Sequence, residues 1–170
     1  MATDAYALGR TFDIACVAAV QDLDAGNVTG NRVNLRHAGI CSFLVFADAS
    51  SDGADLNLTV REHNAATSGT SQDLAVVTDW FKKDETTLDG DETWTRTSQT
   101  AAAAITAVAG SAEVENLWVV EVRSEQLSDG FDWISVNVAD VTTAAKYGGV
   151  LAILTDLKIQ RAPERLAATQ

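Results

Sequence analysis

Residues 40–46 read ICSFLVF. In an extended chain, alternate side chains point to opposite faces. Ile40, Leu44 and Phe46 then fall on one side, and Cys41, Phe43 and Val45 on the other. A strand that is apolar on both sides must be covered on both sides. The segments LWVVEV (117–122) and VLAIL (150–154) have the same two-sided character. Residues 55–63 differ: Leu56, Leu58 and Val60 alternate with Asn57, Thr59 and Arg61, giving one wet face and one buried face. One side of each two-sided strand fills a core. The other needs a loop, a short helix or another copy of the chain, and the last choice predicts an oligomer joined partly through a sheet face.

Outward from these strands, the rest of the chain is punctuated in the same way. Runs rich in Val, Ile, Leu, Thr and aromatics predict strands at 11–19, 30–36, 40–48, 55–63, 78–83, 92–97, 116–123, 131–138 and 149–160, separated by Gly, Asp, Asn and Ser clusters. No long stretch keeps a 3.6-residue apolar period. The expected fold is all-β: an antiparallel β-sandwich of about eight to nine strands, with long loops and short helical turns. Residues 65–77 read as a polar loop in which Ser71 or Asp73 opens a helical turn. In 97–116 a short helix over 101–104 and a long surface loop are both open. One more helical turn is expected near 140–147. The 170 residues suit a single domain over 11–162, flanked by an N-terminal arm, 1–10, and a C-terminal tail, 163–170. These arms are either frayed ends or ties between neighbouring subunits.

The net charge is −12, from 24 acids against 12 bases, which disfavours nucleic acid as a direct partner, since phosphate binding needs a basic face. No apolar run approaches the ~20 residues of a membrane helix, and the start of the chain lacks the basic and apolar regions of a signal peptide. Cys16 and Cys41 stand in apolar segments without ligand spacing and read as buried free thiols; a disulfide would require their strands to be neighbours.

The acidic stretch VQDLDAGNVTGN (20–31) raises the question of calcium. From Asp22, the sixth position of an EF-type loop is Asn27 rather than glycine, and the twelfth is Val33 rather than glutamate. A turn capped by its own side chains explains it better. The LDGDE stretch (88–92) reads likewise, with Asp89-Gly90 as a hairpin signal between strands holding Trp80 and Trp94. His37 and His63 stand at strand ends without a second histidine at i+4, and no P-loop, GxGxxG or GxSxG occurs. The sequence implies no cofactor, no metal and no catalytic residue.

Trp80, Trp94, Trp118 and Trp133 lie on β segments. Such rings serve as core or interface anchors more often than as sugar platforms. Trp80-Phe81-Lys82-Lys83 is the best docking candidate, with a lysine-guarded edge strand as the plainer reading. Phe43, Val45, Trp118 and Arg161 complete the candidate interface.

Five segments carry a resemblance: TGNRVNLRHAG (29–39), LTVREHNAATSGTSQDL (58–74), LDGDETWTRTSQTAA (88–102), SEQLSDGFDWISVNVADV (124–141) and GGVLAILTDLKIQRAPERL (148–166). Together they resemble the head decoration, cement or minor capsid proteins of tailed bacteriophages. That resemblance implies a jelly-roll-like sandwich. It also implies a homotrimer seated over capsomer junctions, the major capsid protein as partner, and a place on the outer surface of the virion after synthesis in the bacterial host cytoplasm. A tail structural protein, a carbohydrate-binding module displayed on the virion and a small β-sandwich hydrolase are the competing expectations. A sugar binder should expose at least two of the tryptophans on one concave face.

Overall fold

A computed structural model of the chain describes residues 11–51, 53–106 and 112–159. Eleven strands follow one another: β1 (Asp13–Asp22), β2 (Val33–Asn34), β3 (Ala38–Ala47), β4 (Leu58–His63), β5 (Ser71–Asp73), β6 (Val77–Glu85), β7 (Thr95–Ala102), β8 (Ala104–Ile105), β9 (Glu115–Arg123), β10 (Trp133–Val138) and β11 (Tyr147–Leu157). They form a six-stranded sheet in the order β1-β11-β3-β9-β6-β7 and a smaller one in the order β2-β10-β4-β5, with β8 on β4.

The pairing is nested. β1 pairs with β11, β2 with β10, β3 with β9 through the middle of the large sheet, and β4 with β5, all antiparallel. A chain folded back on itself and then rolled up gives this order, which is the jelly roll. The β6–β7 hairpin is an insertion between β5 and β9 that widens the large sheet beside β9. Past β7 the chain steps across to the small sheet, where Leu58 pairs with Ile105.

Alternation fixes what fills the space between the sheets. Cys41, Phe43 and Val45 of β3, Trp118, Val120 and Val122 of β9, and Val150, Ala152 and Leu154 of β11 face Leu58 and Val60 of β4 and Ile134, Val136 and Val138 of β10; all are buried. Thr59 and Arg61 point out from β4, as the alternation in 55–63 predicts.

Several expectations are corrected. Residues 101–104 form no helix: they end β7 and begin β8, because ladder partners on β6 and β4 claim their backbone groups. The polar stretch after β4 holds the short strand β5 instead of a helical turn. Near 140–147 there is irregular chain running into β11, and the one helical turn among the described residues is the 3-10 turn Ser124–Gln126. Trp94 precedes β7 rather than lying in it. Cys16 is exposed, and its strand and that of Cys41 are separated by β11 rather than adjacent. The arms 1–10 and 163–170, and Arg161, lie outside the described residues.

Candidate functional site

The two outer faces of the sandwich differ. On the small sheet, Thr59, Arg61, Asp73 and Asn137 line a shallow groove of about 330 Å³, with Arg61 Nε 3.0 Å from Asp73 Oδ1. The outer face of the large sheet is mostly apolar, with Ser42, Glu121 and Lys83 set into it. In register across five strands run Cys16, Leu151, Leu44, Val119 and Phe81. A second row runs Ile14, Ile153, Ser42 and Glu121, where the Ser42 hydroxyl donates to Glu121 at 3.1 Å. A third runs Gly149, Phe46, Leu117 and Lys83. Gly149 is glycine for a reason of space. A Cβ there would meet the Phe46 ring edge and the Ala18 carbonyl at 3.0 Å each. Opposite it, Ala19 and Val20 bulge out of β1 between the pairs made by Ala18 and Gln21.

Ile14, Val20, Phe81, Trp94, Tyr147 and Ile159 are the large apolar side chains exposed among the described residues. All but Ile159 stand on this face or at its rim. Trp94 joins the rim through Lys83, whose Nζ lies 5.1 Å from its ring centroid. Lys83 also faces Glu92 at 3.8 Å.

The proposed interface residues therefore divide. Phe81 is 40% exposed on the apolar face, with Lys83 beside it. Phe43, Val45, Trp80 and Trp118 point the other way, into the core. The second sheet covers their side of the strands, so Leu44 and Phe46 are the outward set. Lys82 faces inward too, with Nζ 2.6 Å from Asp84 Oδ2, and Asp84 Oδ1 accepts from Trp118 Nε1 at 2.7 Å and Asn116 Nδ2 at 2.9 Å. Three donors on one carboxylate tie β6 to β9 at that end of the sandwich. With Trp80, Trp118 and Trp133 buried and Trp94 alone exposed, the tryptophans offer no shared platform for a sugar.

The acidic stretches act as turns. Asp22 Oδ1 accepts from the amides of Asp24 at 3.1 Å and Lys146 at 3.2 Å, and Gly26 supplies a φ of +125°. Asp89, Asp91 and Glu92 bring carboxylate oxygens within 4.8 Å of one another. Glu92 already accepts from the amides of Asp89 and Gly90, and these backbone bonds hold its carboxyl below the usual range.

Three polar features were not legible as sites. His63 is buried, with Nδ1 2.7 Å from Ser71 Oγ and Nε2 2.9 Å from Ser135 Oγ. Arg32 donates to Ser71 Oγ at 3.1 Å and to the Ala65 and Ser68 carbonyls. Burial, then the charges of Arg32 and Arg61, push the imidazole down to about 4. Such an imidazole is a feeble general base near neutrality, and its hydrogen bonds stitch β4, β5 and β10. Glu62, next to it, accepts from the amide of Ser128 at 2.8 Å and its hydroxyl at 2.5 Å, and from Gln72 Nε2 at 2.6 Å. Lys146 is wholly buried and donates to the Ala112 carbonyl at 3.1 Å; burial pulls its ammonium down. Each is an ordinary polar residue in sequence, and only the paired strands bring its partners near.

No family model matches the chain, and no curated protein matches its sequence. Among solved structures, it is similar to a chain from infectious bursal disease virus Gx strain (11% identity over 85% of this chain and 40% of that one, TM-score 0.25). The Gt strain gives 9% identity over 92% and 44%, at a TM-score of 0.25. The infectious bursal disease virus VP2 subviral particle gives 10% over 93% and 43%, at 0.23. The chain spans less than half the length of each, and the likeness is coarse.

Proposed function

We propose that this chain is a structural virion protein that decorates a phage capsid and stabilises it, without catalysis or a cofactor. The observation that carries the reading is the apolar outer face of the large sheet. The core is complete without it, so Leu44, Phe46, Val119 and Leu151 are spare grease on a finished domain. Patches of that kind mark surfaces that meet other proteins. The face marks the chain as one that assembles, and the five segments that resemble head decoration proteins supply the role of the assembled oligomer, with the major capsid protein as its partner. The jelly roll agrees, though the architecture serves lectins as well as capsids and does not itself choose between them. Burial of three tryptophans weighs against the sugar-binding alternative.

The mechanism is linkage. A body that binds the assembled lattice and not its free subunits stabilises the lattice by mass action. Several modest contacts held on one oligomer act at high effective concentration, so each can be weak alone. The finer form of the reading seats the oligomer, a trimer if the resemblance is carried through, over the junctions where capsomers meet on the outer surface.

The test is co-sedimentation of the purified chain with capsids lacking it. Saturable binding, and a higher temperature of capsid disruption when it is bound, are expected. Absence of the chain from the capsid pellet at saturating concentration, together with quenching of Trp94 fluorescence by a glycan, would move the assignment to a carbohydrate module.

A further inference from the structure

We infer that a second copy of this chain covers the apolar face, packed sheet against sheet about a two-fold axis that passes near Leu44. This rests on the oligomeric part of the reading above and names the partner at that surface. Three observations carry it.

The first is area. Five strands at a spacing of ~4.8 Å and seven residues at ~3.3 Å give a patch of roughly 24 Å by 23 Å, about 550 Å². Two such faces bury about 1,100 Å² even in flat projection, just above the ~1,000 Å² that a specific interface needs.

The second is the lack, among the described residues, of any other broad apolar face to match it. A head-to-tail contact would press this face against a different surface of the neighbouring copy. The opposite broad face presents Arg61, Asp73, Thr59 and Asn137. Grease on that face would strip water from an ion pair and return nothing. An identical face is the complementary one, and face to identical face is an isologous, two-fold contact.

The third is charge. The chain carries −12, yet the row Cys16, Leu151, Leu44, Val119 and Phe81 has no ionisable acid or base other than its thiol. At the border the Asp79 carboxylate already holds Arg96 at 2.7 Å. The Leu44 row therefore brings no carboxylate into the contact, and Glu121 of the next row enters it already accepting from the Ser42 hydroxyl at 3.1 Å. Leu44 lies on the third of the five strands, so it sits near the axis and meets itself. A three-fold contact on the shell would have to use other residues.

Sedimentation velocity of the full chain at rising micromolar concentration should show a species of twice the 18.0 kDa chain mass. On the unaltered protein, alkylation of Cys16 by iodoacetamide should slow as the dimer fills. Leu44→Asp and Leu44→Lys should each weaken pairing at least ~100-fold, and mixing the two should restore it. That restoration belongs to an isologous contact alone, because a residue off the axis would not face its own counterpart. Phe81→Asp, at the edge of the patch, should weaken pairing less and guards against a folding defect at Leu44; circular dichroism of each variant checks the fold. A monomer throughout with concentration-independent alkylation, a species of three chain masses, or no restoration on mixing would each overturn the pairing. Capsid binding is a separate readout: a dimer that ignores capsids sinks the virion reading alone, and a monomer that binds them sinks the pairing alone.

Discussion

His63 shows how much one side chain takes from its surroundings. Arg32 donates to Ser71 Oγ, so the Ser71 hydroxyl hydrogen is free to donate to Nδ1 of His63. The ring proton then sits on Nε2 and is donated to Ser135. Every polar atom of the ring is satisfied in the neutral form. Protonation would place a cation in a buried site beside Arg32 and Arg61, with Glu62 the nearby opposing charge. The folded imidazole titrates at about 4, against an ordinary value near 6.5, so the unfolded chain takes up the proton first as pH falls. The stability this neutral ring contributes is whole above pH 6.5 and is lost as pH drops towards 4. Chemical denaturation of the chain across that window should show the decline, and His63→Gln should flatten it. An unchanged slope in the variant would assign the acid sensitivity to the carboxylates.

At the scale of the element, the strands were readable and their orientation only faintly so. Two-sided runs such as 40–46 announce a buried strand, and β3 is one. Period-two alternation offers two apolar faces, though, and the cue to the outer one is slight: Ser42 shares a side with Leu44 and Phe46, as Glu121 does with Leu117 and Val119. The covered side is Phe43 and Val45, and the outward side is Leu44 and Phe46. The alanines at 101–104 misled for a different reason. Alanine is the best helix former, but a helix this short draws little from propensity, and strand partners on two sheets outweigh it. β5 and β8 have 3 and 2 residues and carry no apolar alternation, so their sequence holds no signal. Nested pairing is a property of long-range contacts and is written in no single segment. Gly30 is where the roll closes. It lies on the connection from β1 to β2, with Val17 on one side and the Val136 carbonyl on the other; a Cβ there would come within 2.7 Å of Val17 Cγ1. Its amide also donates to Asn137 Oδ1 at 3.2 Å. Gly30→Ala should cost about 1–3 kcal/mol by forcing the sheets apart, read as a Tm several degrees lower. A Tm equal to that of the unaltered chain would mean that the connection yields freely there.

The molecule as a whole is acidic, with one greasy face among the described residues, and its response to salt tells which of the two governs association. Two chains of −12 each repel before they touch. At low ionic strength that repulsion reaches across ~30 Å, and at physiological salt only ~8 Å, so added salt removes a cost of pairing. It leaves apolar burial in place. Pairing through the large sheet should therefore tighten, by several-fold, as sodium chloride rises from a few millimolar to the physiological range, with little change beyond it. Sedimentation equilibrium at each salt concentration reads this directly. A contact built on ion pairs would do the reverse and loosen steadily, as phosphate-binding proteins do on their nucleic acids. Should pairing loosen in this way, the surface at work would be a charged one, such as Arg61 and Asp73 on the small sheet, and Leu44 and Phe46 would have no part in holding the chains together.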